Sequence, residues 1–178
     1  QILDASDTEG SSEWTPFFVE LARRALARNA PGDAELAVGR ISRFDLKECD
    51  VLLVRRSVAR ARQSGPELAE VETAWPATFP QVIDVSAWPA SGAGTLPVCV
   101  DPERDAKASL VVSVVAREPA LLWWGWDGGR EGTIRLDEAG ERELSFPLAE
   151  LRGRRALSLG PLLGGGVTVT KARIVPGR

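Results

Sequence analysis

The chain has 178 residues, 44% hydrophobic and 26% charged, with 22 basic and 25 acidic side chains and a formal net charge of -3. A chain of this size buries roughly 70% of the surface it exposes when unfolded, so its core needs neither a metal nor a dense disulfide framework. The mixed, slightly acidic balance excludes a dedicated nucleic-acid binder, and the absence of both His and Tyr removes Ser-His-Asp and Cys-His catalysis, His-ligated metals and the usual proton shuttle.

Residues 1–14 are acidic, carry Ser and Gly, and read as an extended arm. Thr15 as N-cap and Pro16 as first helical residue predict a helix over 15–30. Phe18, Leu21, Ala22, Ala25 and Leu26 follow at helical spacing, Arg23, Arg24 and Arg28 favour the C-terminal end of the dipole, and Asn29, Pro31 and Gly32 stop it. The period then falls to two. Leu36, Val38, Arg40, Ser42 and Phe44 alternate with Ala37, Gly39, Ile41 and Arg43, and Val51–Val54 is an apolar run; both predict strands. Residues 64–80 carry Gly65, Pro66, Pro76 and Pro80 and predict a long surface loop with a helical turn near 66–71.

Strands are then expected at 81–88, 95–100, 108–117, 120–126, 132–137, 142–147, 156–159 and 166–175. Their connections hold Asp127-Gly128-Gly129, Ala139-Gly140, Arg152-Gly153 and Gly164-Gly165-Gly166, of which Asp-Gly is a strong hairpin signal. Short strands with Gly-rich turns predict a mainly β fold: an antiparallel β-sandwich with one N-terminal α-helix, forming a single domain over 15–178.

The rhythm SLVVSVVA, ALLWWGWDGG, GTIRL, ELSFPL, LSL, VTVTKARIV over residues 108–175 resembles the C-terminal half of jelly-roll modules of the carbohydrate-binding and galactose-binding-like group. The resemblance covers under half of the chain and is one of patterning. It implies a jelly-roll-like sandwich and, as one option, sugar binding.

Four groups of side chains invite a functional reading. Trp123, Trp124 and Trp126 are the sharpest: in a strand, Trp124 and Trp126 share one face and Trp123 lies on the other. Either one face packs inside while the other offers aromatic surface to a partner, or both are covered, by the core and by the N-terminal helix. Arg55, Arg56, Arg60 and Arg62 suit an acidic partner, although Asp50, Glu67, Glu70 and Glu72 stand near enough in sequence to pair with them internally. Asp101, Glu103 and Asp105 alternate as hard oxygen ligands do at a calcium site, or form a solvated charged turn. Cys49 and Cys99 permit one disulfide closing a loop of about 50 residues, or are two buried thiols. With two cysteines and no CxxC there is no structural zinc site, and GPLLGGG at 160–166 lacks the Gly-Lys-Ser/Thr ending of a phosphate loop and reads as a turn.

The expected function is therefore non-catalytic, with no cofactor: an accessory or structural subunit that docks on protein subunits of an envelope or membrane complex. Arg outnumbers Lys 19 to 3, which suits interface chemistry. The chain begins at Gln1 and has no Met, as a processed extracytoplasmic (periplasmic or secreted) protein would, and its apolar stretches are far shorter than the roughly 20 residues of a transmembrane span. The alternative is a carbohydrate-binding module of a glycan-processing system, favoured by the Trp cluster and opposed by an inventory of one Asn, three Gln and no Tyr. An enzyme working through two carboxylates about 5–10 Å apart is the third option.

Overall fold

A computed structural model describes residues 12–78 and 81–177. Its contacts divide the chain into two compact units, Gln1–Thr78 and Phe79–Arg178. Residues 1–11 of the expected arm lie outside the described residues, and Ser12–Trp14 form a 3-10 turn.

Among the described residues the first unit contains four α-helices where the sequence pattern predicts one: α1 Thr15–Ala27, α2 Pro31–Val38, α3 Cys49–Ala61 and α4 Gly65–Thr78. The expected helix at 15–30 is α1, and Asn29 terminates it in the left-handed region at φ 57°. Thr15 is not its cap. Trp14 occupies that position, and the Thr15 hydroxyl donates to Asp45 Oδ2 at 2.5 Å while that of Ser12 donates to Oδ1 at 3.1 Å. Pro31 and Gly32, expected only as a stop, also open the next helix: Pro31 sits in the first turn of α2, where its missing N–H leaves nothing unpaired. The alternation over 36–44 is thus not a strand. Its apolar members Leu36 and Phe44 face solvent, while Ala34 and Ala37 pack inward at helical spacing. Val51–Val54 lies in α3, whose Val51, Val54 and Val58 join Val19, Ala22, Ala25, Ala34, Ala37 and Ile41 in one small core. Residues 64–80 are mostly α4, with Pro66 in its first turn.

Among the described residues the second unit carries eight strands: β1 Val82–Ile83, β2 Gly94–Val100, β3 Ser109–Ala116, β4 Ala120–Trp126, β5 Glu131–Leu136, β6 Gly140–Pro147, β7 Gly153–Leu163 and β8 Val167–Val175. They form two four-stranded sheets in the orders β1-β8-β3-β6 and β2-β7-β4-β5, every pairing antiparallel. This is the expected mainly β sandwich. Leu110, Val112 and Val114 of β3 face Leu96, Val98 and Val100 of β2, Leu122 of β4 and Leu157 of β7 across one apolar core. Trp124 and Phe146 meet edge to face there, ring centroids 5.3 Å apart.

Two strand expectations change length. Of 81–88 only Val82–Ile83 pairs, because the Asp84 carboxylate accepts from Ser86 N–H at 2.9 Å and turns the chain away. Bonds from the Ser86 backbone N–H and hydroxyl also hold the Asp84 carboxyl below the usual carboxylate range. Conversely β7 runs on through Gly160 and Pro161, expected as part of a turn. Pro161 is accommodated because the β4–β7 register shifts between Leu121 and Leu122, so the strand carries an irregularity where an N–H can be spared.

Candidate binding surfaces

Strand β4 separates its tryptophans as the period of two requires. Trp126 is 6% exposed and joins the sandwich core, Trp124 packs against that core beside Phe146, and Trp123 projects from the opposite face, 37% exposed. The Trp123 indole lies across Gly125, where an added Cβ would come within 2.8 Å of its Cζ2. One side of the ring therefore rests on the strand. Around it the register places Thr133 of β5 and Gly160 of β7 opposite Trp123, with Glu131 and Ser158 opposite Gly125. The indole sits among small and polar groups rather than in an apolar patch.

Along the same face, Leu121 stands opposite Arg135 on β5 and Leu163 on β7. A cleft of about 300 Å³ opens here, lined by Pro119, Leu121, Arg135, Asp137, Leu163 and Gly164 among others. Arg135 Nε and Asp137 Oδ1 form an ion pair at 2.8 Å, and both side chains remain open to solvent. Gly164 closes the end of this cleft at φ 93°, and a Cβ on it would come within 2.5 Å of the Pro119 carbonyl oxygen.

The arginine cluster does not form one free cationic surface. Arg55 donates to Glu70 at 2.7 Å, and Arg62 to Glu35, with Glu67 3.8 Å away. Arg56, expected to meet a partner, is 6% exposed, and its guanidinium stacks 4.3 Å from the centroid of the Trp75 ring. Of the four, Arg56 alone is buried; Arg55 on α3 and Arg62 just past its end meet acids of α2 and α4, and Arg60 and Arg62 are exposed. Removing a buried cation–π contact and the stem that packs with it costs about 2 kcal/mol. Arg56→Ala should therefore lower the urea midpoint clearly, and Arg56→Lys, which keeps charge but not the planar stack, should recover part of the loss.

The alternating acids likewise close on the chain itself. Asp101 and Asp105 are buried. Asp105 accepts from Asp101 N–H at 2.9 Å and from Nε and Nη2 on one edge of the Arg104 guanidinium at 2.8 and 3.0 Å, and Asp101 accepts from Glu103 N–H at 3.0 Å. Their oxygens organise a tight turn after β2, and among the described residues no group of three Cys, Asp or Glu is placed to hold a metal ion. Neither cysteine has a free thiol; Cys49 and Cys99 are both disulfide-bonded. Among the described residues no helix is long and apolar enough to cross a membrane.

The helical unit carries a surface that the sequence reading passed over. Trp14 and Phe17 are 57% and 56% exposed, with Leu21 exposed one turn beyond, and the rings of Trp14, Phe17 and Phe18 meet edge to face at 6.2 and 5.5 Å. The Asp45 contacts to Ser12 and Thr15 bring the neighbouring Phe44, 93% exposed, to the same end of α1. The signal was present: Trp14, Phe17 and Leu21 recur at helical spacing beside a second stripe of Val19, Ala22 and Ala25. A surface helix that is apolar on two faces has one face to spare.

No family model matches this chain, and no curated protein matches it. Among solved structures it is similar to a ruminal GH26 endo-β-1,4-mannanase, at 10% identity and a TM-score of 0.30, over 50% of this chain and 19% of that one. It is also similar to a family GH115 4-O-methyl-α-glucuronidase with specificity for decorated arabinogalactans, at 8% identity and a TM-score of 0.37, over 93% of this chain and 33% of that one. The chain spans a third or less of the length of either, and likeness at this level identifies no family.

Proposed function

We propose that this chain is a non-catalytic accessory module that docks on a protein partner outside the cytoplasm, as part of a membrane-associated assembly. The observation that carries the docking is the exposed aromatic stripe Trp14–Phe17–Leu21 on α1, with Phe44 at its end. Contiguous apolar surface of this kind is costly to leave in water and marks contact sites. The disulfide-bonded cysteines support an oxidising compartment. Affinity capture from the native membrane fraction, with mass spectrometry of what is held, tests the reading. The wild-type chain is expected to retain a defined protein that a Trp14→Ala/Phe17→Ala double variant releases. An identical protein set from both would count against it.

A second reading is favoured by Trp123: the sandwich unit holds a glycan on the outer face of the β2-β7-β4-β5 sheet. A half-exposed indole resting against a strand beside Thr133 and Ser158 suits the C–H face of a pyranose. The jelly-roll assignment belongs to this reading, supported by the chain's repeated passage between the two sheets and the strand orders that result. Trp123→Ala should abolish binding on a glycan array, and an unchanged array profile would remove Trp123 from any sugar site.

A further inference from the structure

The cleft beside Trp123 has a chemistry of its own. It begins one strand repeat from the indole, roughly 7 Å along β4, and lies on the same outward row: Trp123 and Thr133, then Leu121 and Arg135, then Asp137. One wall is apolar, from Pro119, Leu121 and Leu163. The other is the Arg135–Asp137 pair, whose opposite charges cancel while leaving N–H donors and carboxylate oxygens exposed. A net-neutral site with one apolar and one hydrogen-bonding wall disfavours a phosphate or a uronate. It matches a sugar ring, with C–H groups on a face and hydroxyl groups at the edge. Indole and cleft share one row one ring-length apart, so a single linear ligand reaches both.

We propose that the Leu121–Arg135–Asp137 cleft is a second subsite, continuous with Trp123, and that the ligand is an unbranched chain of at least two neutral pyranoses. In this arrangement Trp123 stacks on one ring, while Arg135 donates to and Asp137 accepts from vicinal hydroxyl groups of the next. This rests on the reading of Trp123 as a sugar-stacking surface.

The test is calorimetric titration of the full chain with neutral gluco-, manno-, xylo- and galacto-oligosaccharides of one to six units and with their uronate counterparts. One neutral series is expected to bind with affinity rising from one unit to two or three and then levelling. Hydrogen bonds to charged groups are worth roughly a 10- to 100-fold change in affinity. Asp137→Ala and Arg135→Ala should each lower trisaccharide affinity by about tenfold or more and leave monosaccharide affinity unchanged. Trp123→Ala should remove binding at every length. Loss with Trp123→Ala but none with either cleft variant would overturn the second subsite and leave the stacking reading standing, whereas binding insensitive to Trp123→Ala, or no binding in any series, would overturn both. Tighter binding of uronates than of neutral sugars would overturn the neutral-ligand assignment.

Discussion

Truncating Phe146 to alanine is expected to destabilise the sandwich unit by about 3–5 kcal/mol. Phe146 is 1% exposed on β6, and its ring reaches across the sandwich to Trp124 on the other sheet. The substitution removes buried apolar area, ends an edge-to-face contact worth about 1 kcal/mol, and opens a cavity that two paired sheets cannot collapse to fill. Its neighbour Ser145 points the other way into solvent, so Ser145→Ala should stay within about 0.5 kcal/mol. Denaturant unfolding followed by tryptophan fluorescence checks both, and Phe146→Ala should also weaken the near-ultraviolet dichroism that reports Trp124. Equal costs at 145 and 146 would contradict the stacking of the two sheets.

The Trp14→Ala/Phe17→Ala double variant should behave in the opposite way. Both side chains are more than half exposed in the free chain, so folding gains little from them and stability should fall by no more than about 1 kcal/mol. Buried in a partner, aromatic anchors of this kind contribute about 2 kcal/mol or more apiece, so the double variant should lose roughly 100- to 1000-fold in affinity. The same residue type thus gives opposite results at 17 and at 146, because one ring finds its apolar neighbours inside the chain and the other finds them only in a complex. Surface interferometry with the captured partner measures the affinity, and circular dichroism establishes that the helices persist.

The sandwich was largely legible because its strands obey one strong rule. β4 falls at the expected 120–126, and the opposition of Trp123 to Trp124 and Trp126 follows from the pleat alone. The helical unit was hidden for the converse reason. Leu36 and Phe44 are apolar residues left in solvent, and they imposed a period of two on a segment that begins with a helix. The apolar Val51–Val54 run fits a buried helix as well as a strand, and Pro31 both follows one helix and starts another. In the arginine cluster, spacing named the acids within reach but did not distinguish Arg56, turned in against Trp75, from Arg60 on the surface. The cleft beside Trp123 was illegible because it depends on cross-strand register and on the irregularity near Leu121, which no local pattern announces.

Docking through α1 is tested most directly by a photoreactive benzoylphenylalanine placed at Phe17, with the same probe at Ser145 as control, irradiated in the native membrane fraction. A single discrete protein adduct from position 17, absent from position 145 and displaced by excess unmodified chain, is the result expected. No adduct at 17, or the same diffuse adducts from both positions, would contradict a docking face on this helix.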